Sequence, residues 1–160
     1  MPQQPINVII VDDHEIMREG LRDLLGDEKD IHVTALADNG HAAINLAHHH
    51  QPDILILDIK MPDMTGLEAL WQLRQELPDI KVIILTMYEE EAFFLEALRA
   101  GASGYFLKGS HSSELIHAIK VVQKGEVYLP PKLTGCLVKE YLTQYHQLQE
   151  LGYADSHVTR

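Results

Sequence analysis

The 160-residue sequence predicts a three-layer α/β fold, with one parallel sheet covered by helices on both faces. Three observations lead there. Five short apolar, β-branched runs recur, at 6–11, 31–37, 53–57, 81–86 and 104–107. Each interval between them holds a segment with helical periodicity, as a βαβ unit requires. The third and fourth runs, Ile-Leu-Ile-Leu and Val-Ile-Ile-Leu, show no polar alternation, the mark of central parallel strands buried on both faces.

In chain order, the first strand stops at Asp12-Asp13. Met17, Leu21, Leu24 and Leu25 then follow i, i+4, i+7, i+8, one apolar stripe of a helix. The second strand and second helix lead to His48-His49-His50, just before Pro52, and the third strand runs into Asp58. Leu67, Leu70 and Trp71 open the third helix, and the fourth strand ends at Thr86. Phe94, Leu95, Leu98 and Ala102 line the fourth helix, and the fifth strand ends at Lys108. Leu115, Ala118, Ile119 and Val122 line the fifth, with Ser110 expected as its N-cap.

Past Gly125 the pattern changes. The first domain is expected to span 1–128, and Pro130-Pro131 to open a linker helix within 129–152. Val138, Tyr141, Tyr145 and Leu148 fall at 3, 4, 3 spacing, which suits either two heptads of coiled coil or a helix packed on its own domain. Residues 153–160 have no apolar periodicity and are expected to form a flexible tail.

Charge excludes several functions. Asp plus Glu number 24 against 13 Lys plus Arg, a net charge of −11, and the whole deficit falls in residues 1–131. An acidic body repels phosphate backbones, so this chain by itself is a poor nucleic-acid binder. No apolar run approaches the ~20 residues that span a bilayer, and the Met-Pro-Gln-Gln-Pro start lacks a basic signal-peptide region. The single cysteine, Cys136, cannot form an internal bridge, which suits a reducing cytoplasm.

In parallel α/β folds, ligands collect at the carboxyl ends of strands. Asp12 and Asp13 follow the first strand, Asp58 the third, Thr86 ends the fourth and Lys108 follows the fifth. Three converging carboxylates repel one another by several kcal/mol at short range unless a cation joins them. All-oxygen ligands presented by carboxylates, with neither Cys nor His counted among them, suit a hard ion such as Mg²⁺ rather than Zn²⁺. With that charge balanced by a metal and Lys108, an aspartate can accept a phosphoryl group as an acyl phosphate. A hydroxyl at Thr86 would bond the phosphoryl oxygen only in that state, which makes a switch.

Val-Asp-Asp-His at 11–14, Leu-Asp-Ile-Lys-Met-Pro-Asp-Met-Thr-Gly at 57–66, Leu-Thr-Met-Tyr at 85–88 and Gly-Tyr-Phe-Leu-Lys at 104–108 resemble the receiver domain of bacterial two-component response regulators. The resemblance covers about residues 6–125 and implies a flavodoxin-like (CheY-like), doubly wound (βα)5 fold with strand order 2-1-3-4-5. It implies Asp58 as phosphoacceptor and Mg²⁺ held by Asp13, Asp58 and the Lys60 backbone carbonyl, with Asp12 reaching it through water. Thr86 and Lys108 would grip the phosphoryl oxygens, and Tyr105 would swing inward as Thr86 moves. The implied donor is a phosphohistidine on a sensor histidine kinase docked partly on the first helix. Lys60 and Tyr88 would flank the path of the water that removes the phosphoryl group.

Thr-Met-Tyr, Leu-Lys-Gly and Gly-Glu-Val-Tyr-Leu-Pro-Pro at 125–131 are similar to the NarL/FixJ (LuxR-type) branch. Members continue into a helix-turn-helix domain, which needs roughly 60 residues that 132–160 do not supply. The chain is therefore expected to be a receiver cut after its linker, or else a stand-alone receiver that relays phosphoryl groups or switches protein contacts. DNA binding would belong to a C-terminal domain absent here, and phosphorylation is expected to promote a homodimer through the fourth and fifth helices, the first and fifth, or the linker.

Other features read as structural. The three histidines suit a helix C-terminus, Glu89-Glu90-Glu91 a helix N-terminus, and Phe93, Phe94, Trp71 and the methionines the core. His14 is expected to open the first helix. A phosphohydrolase of the haloacid-dehalogenase kind needs an acid where Lys60 stands. A flavin-type binder needs a phosphate loop where Asp12 and Asp13 would repel it. Catalysis is therefore expected only on the chain's own Asp58.

Overall fold

The computed structural model describes residues 4–87 and 91–152. These form β1 (Ile6–Val11), α1 (Glu15–Gly26), β2 (Ile31–Ala37), α2 (Gly40–His50), β3 (Ile54–Asp58), α3 (Gly66–Glu76), β4 (Lys81–Thr86), α4 (Glu91–Arg99), β5 (Gly104–Leu107), α5 (Ser112–Gln123) and α6 (Pro131–Glu150). The chain divides into two compact units, one through Leu129 and one from Pro130.

All five strands are parallel, in the order β2-β1-β3-β4-β5. Alternation along each strand sends side chains to opposite faces. On one face Ile6, Val8 and Ile10 of β1, Ile54 and Ile56 of β3 and Ile83 and Leu85 of β4 pack with Leu21 and Leu25 of α1 and Leu115, Ala118, Ile119 and Val122 of α5. The stripes foreseen for these two helices are buried or half-buried throughout. The other face is covered by α2, α3 and α4, α2 against α3 and α3 against α4.

The β1–β2 ladder is irregular. Val8 pairs with Val33, but Ile9 pairs with Ala35, so Thr34 is an extra residue on the edge strand. Beyond the bulge, the Asp12 N–H bonds to the Ala37 carbonyl at 3.1 Å. At the opposite edge, Tyr128 makes a parallel bridge to Gly104, which caps the exposed side of β5.

Four details differ from the sequence reading. β3 starts at Ile54 rather than 53 because Asp53 binds Asn7 twice: its N–H to the Asn7 carbonyl and its carboxylate to the Asn7 N–H. Ser110 is not an N-cap. Its N–H turns back to the Leu107 carbonyl after Gly109 at φ 91°, and α5 starts at Ser112 with His111 in the cap position. Trp71 is 48% exposed, because the buried stripe of α3 is Gly66, Ala69, Leu70 and Leu73, and position 71 lies about 100° off Leu70. Met87 is likewise exposed. In α6 the buried residues are Leu133 and Cys136, while Val138, Tyr141 and Leu148 of the anticipated seam are exposed and Tyr145 is half-buried.

Candidate functional site

Because the strands are parallel, their carboxyl ends meet on one edge of the sheet. Asp12 is the first residue after β1, Asp58 the last of β3, Thr86 the last of β4 and Lys108 the first after β5. Bonds to backbone carbonyls help to seat them. The Lys108 N–H donates to the Thr86 carbonyl at 2.7 Å, and Arg18 donates to the Asp12 carbonyl at 2.7 Å.

Lys108 joins the acids across the sheet. Its Nζ lies 2.9 Å from Asp12 Oδ2 and 3.4 Å from Asp58 Oδ2, with the lysine side chain only 5% exposed. Asp58 also accepts from the Lys60 N–H at 3.4 Å. Burial pushes the Asp58 carboxyl up to about 6; Lys108 opposes that shift and the charge of Asp12 adds to it. Burial alone would pull Lys108 down, but its bonds to Asp12 and its attraction to both carboxylates hold it above the ordinary lysine value.

Asp13 completes the cluster. Ligand atoms of Asp12, Asp13, His14 and Asp58 all lie within 4.8 Å of one another. Three carboxylates against one buried lysine leave a negative excess that a divalent cation balances, and oxygen donors suit a hard one. The residues therefore fit a metal. The histidine is the surprise: although it opens α1, its Nδ1 also sits 3.1 Å from Asp13 Oδ1 and 3.2 Å from Asp12 Oδ1. Its place directly after the acid pair was the available signal.

Thr86 is buried beside this group at the end of β4. Tyr105 is fully buried, edge-on to Phe94 of α4 with ring centroids 5.4 Å apart. Tyr88, Glu89 and Glu90 lie outside the described residues. The histidine run forms no metal cluster among the described residues; His48 pairs with Glu76 at 2.6 Å instead.

Two further features had little signal in the sequence. The Asp63 carboxylate, in the loop after Asp58, accepts both the Gly40 and His41 N–H groups at 2.8 Å and so fastens that loop to the start of α2. These bonds hold Asp63 well below the ordinary carboxylate range, overcoming its desolvation. Beside the acid cluster, Ile16, Met17, Leu21 and Met87 line an apolar depression with Lys108 at its rim. Ile16 is 87% exposed in the first turn of α1.

The raised Asp58 carboxyl makes stability depend on pH. The folded state favours protonated Asp58, so this group's contribution is complete below about pH 4 and is lost as pH rises through about 6. Asp58→Asn removes the charge at every pH. Without metal it is expected to gain about 1–2 kcal/mol at pH 8, allowing for solvent screening, and nothing at pH 4. Urea melts in EDTA at the two values check this; an equal gain at both would rule out a charge origin.

The receiver domain profile of response regulators matches residues 8–120. Among curated relatives, the transcriptional regulatory protein DegU of Brevibacillus brevis is 40% identical over 139 residues, covering 87% of this chain and 59% of its own length. The response regulator GacA of Pseudomonas aeruginosa is 38% identical over 142 residues, covering 88% of this chain and 65% of its own length. The chain thus spans about three fifths to two thirds of the curated relatives it matches. Among solved structures, a LuxR-family two-component response regulator from Aurantimonas sp. SI85-9A1 superposes with a TM-score of 0.81 at 34% identity, covering 87% of this chain and 99% of that one. The isolated REC domain of RcsB from Salmonella enterica serovar Typhimurium, with phosphomimetic BeF3-, gives 0.76 at 28% identity over 82% and 97%.

Proposed function

The chain belongs to the response regulator receiver family of two-component systems, and on that premise we propose that Asp58 is its phosphoacceptor. One observation carries the reading: a buried carboxylate at the end of β3, raised to about 6 and paired with a buried lysine, lies beside two more acids able to take a cation. An Asp58 oxygen attacks the phosphorus of a phosphohistidine on a sensor kinase. The P–N bond breaks, its electron pair leaves with the imidazole, which takes up a proton, and Asp58 becomes an acyl phosphate.

Asp13, Asp58 and the Lys60 carbonyl would hold Mg²⁺, Asp12 through water; when bound, the ion supplies positive charge to the phosphoryl oxygens. Lys108 supplies the fixed positive charge from the other side. The Thr86 hydroxyl bonds a phosphoryl oxygen only after transfer, and the buried pose of Tyr105 is the one that movement favours. Dephosphorylation returns the same site to its start, so the chain acts on itself rather than on a pool of substrate. The apolar depression on α1, with Ile16 and Met87 exposed beside Asp58's edge, is where the kinase helix docks. This chemistry belongs in the cytoplasm; among the described residues no helix is long and apolar enough to cross a membrane.

Downstream, phosphorylation would favour a homodimer and switch an output. The relatives named as transcriptional regulators make DNA the first candidate for that output, reached through a separate domain because this one is strongly acidic.

Intact-protein mass after incubation with a small phosphodonor tests the core of the proposal. A single labile phosphoryl adduct is expected that needs Mg²⁺ and vanishes in Asp58→Asn. An adduct that persists in the variant would move the acceptor elsewhere.

A further inference from the structure

α6 carries a broad apolar surface for which the phosphorylation chemistry has no use. Val138, Tyr141, Leu142 and Leu148 are 46–66% exposed, and Leu151 just beyond the helix end is also exposed. Tyr141 and Tyr145 stack along it, with ring centroids 6.5 Å apart. Val138, Tyr141, Tyr145 and Leu148 occupy successive a, d, a and d positions of two heptads.

The positions beside the seam decide what fits there. In that register the flanking e and g places hold Leu137, Leu142, Gln144, Gln149 and Leu151, none of them charged. Every ionisable residue from 138 to 150 other than the two seam tyrosines falls on the back of the helix: Lys139 and His146 at b, Glu140 at c and Glu150 at f. Elsewhere the chain is strongly acidic, so most pairings of two copies bring like charges together. Along this strip they do not. A second copy of the same helix, parallel and in register, sets apolar residues against apolar residues, with glutamines at the rim.

We propose that α6 pairs with α6 of a second copy as a short parallel coiled coil, and that it does so whether or not Asp58 is phosphorylated. Two heptads make a weak pair, with a dissociation constant on the order of 10–100 µM. The linker thereby keeps two receivers near each other, and dimerisation driven by the phosphoryl group becomes partly intramolecular.

Sedimentation equilibrium of the full chain without phosphodonor reads this directly. Reversible dimerisation is expected for the wild type and for Asp58→Asn alike. Tyr141→Glu with Leu148→Glu, both at exposed positions, should raise the dissociation constant at least tenfold while leaving the far-UV spectrum and the Asp58 phosphoryl adduct intact. Orientation is read from Leu148→Cys in a Cys136→Ser background, where mild oxidation should link two chains at position 148. A monomer up to about 1 mM, or a dimer indifferent to the glutamates, overturns the pairing. Ready dimerisation without any linkage at 148 overturns the parallel register. Loss of the adduct in every protein would instead count against the phosphoacceptor and leave the pairing standing.

Discussion

Lys108→Met is expected to destabilise the metal-free protein by about 3 kcal/mol at pH 8. Methionine keeps much of the apolar length of the lysine, so the loss is one of charge. Lys108 Nζ lies 2.9 Å from Asp12 and 3.4 Å from Asp58, and both carboxylates are almost wholly buried. Taking away one partner of a buried ionic group leaves the others desolvated and uncompensated, which costs more than the group contributed when intact. The cost should shrink at pH 5, where Asp58, with its carboxyl raised to about 6, is mostly neutral. It should shrink again in Lys108→Met with Asp58→Asn, where one of the two carboxylates that Lys108 contacts is gone. Urea unfolding of the four proteins at both pH values reads the coupling as a double-mutant cycle. Equal stability of Lys108→Met and wild type at pH 8 would show that water already screens these acids.

Gly66→Ala is expected to be nearly as damaging, by a route that involves no charge. A Cβ on Gly66 would stand 2.4 Å from the Asp58 carbonyl oxygen and 2.8 Å from the Ile59 Cα. Both are backbone atoms, so no side chain can swing aside. The Gly66 N–H also bonds to the Ile59 carbonyl at 2.7 Å, holding the start of α3 close to the end of β3. Relief requires α3 to move off the strand or the chain at Asp58 to shift. A loss of about 3 kcal/mol is expected from such forced overpacking, together with slower phosphoryl uptake at Asp58. Thermal melts and the phosphodonor assay on the same protein separate the two effects. An unchanged melt with normal uptake would mean that the close approach of α3 is not needed.

Gly66 also marks where the sequence stops being legible. The strand runs could be placed because apolar β-branched residues at 54–57 and 82–85 have few alternatives. The convergence of Asp12, Asp58, Thr86 and Lys108 follows from parallel strands alone, since each residue sits at a strand's carboxyl end. What escaped depends on contacts between distant segments. Nothing near position 66 announces that α3 meets the backbone of Asp58. Likewise, the tie between Asp63 and the start of α2 joins residues 22 and 23 positions apart. Trp71 misled because hydrophobicity suggests burial, while the angular position on α3 decides it. Ser110 misled because a good capping residue gave way to the turn that Gly109 makes just before it. His14 has the sequence position of a helix start, and its ring faces the acid pair as well, a contact that position alone does not announce.

The bulge in β2 bears on how chain length and side-chain placement are linked. Ordinarily a strand that gains or loses one residue exchanges its two faces from that point on, since alternation has a period of two. Here Ile31 and Val33 lie on the same core face as Leu36, an odd–odd–even series that is possible only because Thr34 is passed over in the ladder. The face assignments on either side of Thr34 are therefore those of a strand one residue shorter. A homologue with a single-residue gap at this place could align with the same ladder partners on β1 and keep Ala37 opposite Val11, its carbonyl still accepting the Asp12 N–H. In this edge strand one extra residue is absorbed while the acidic end of the sheet stays in register.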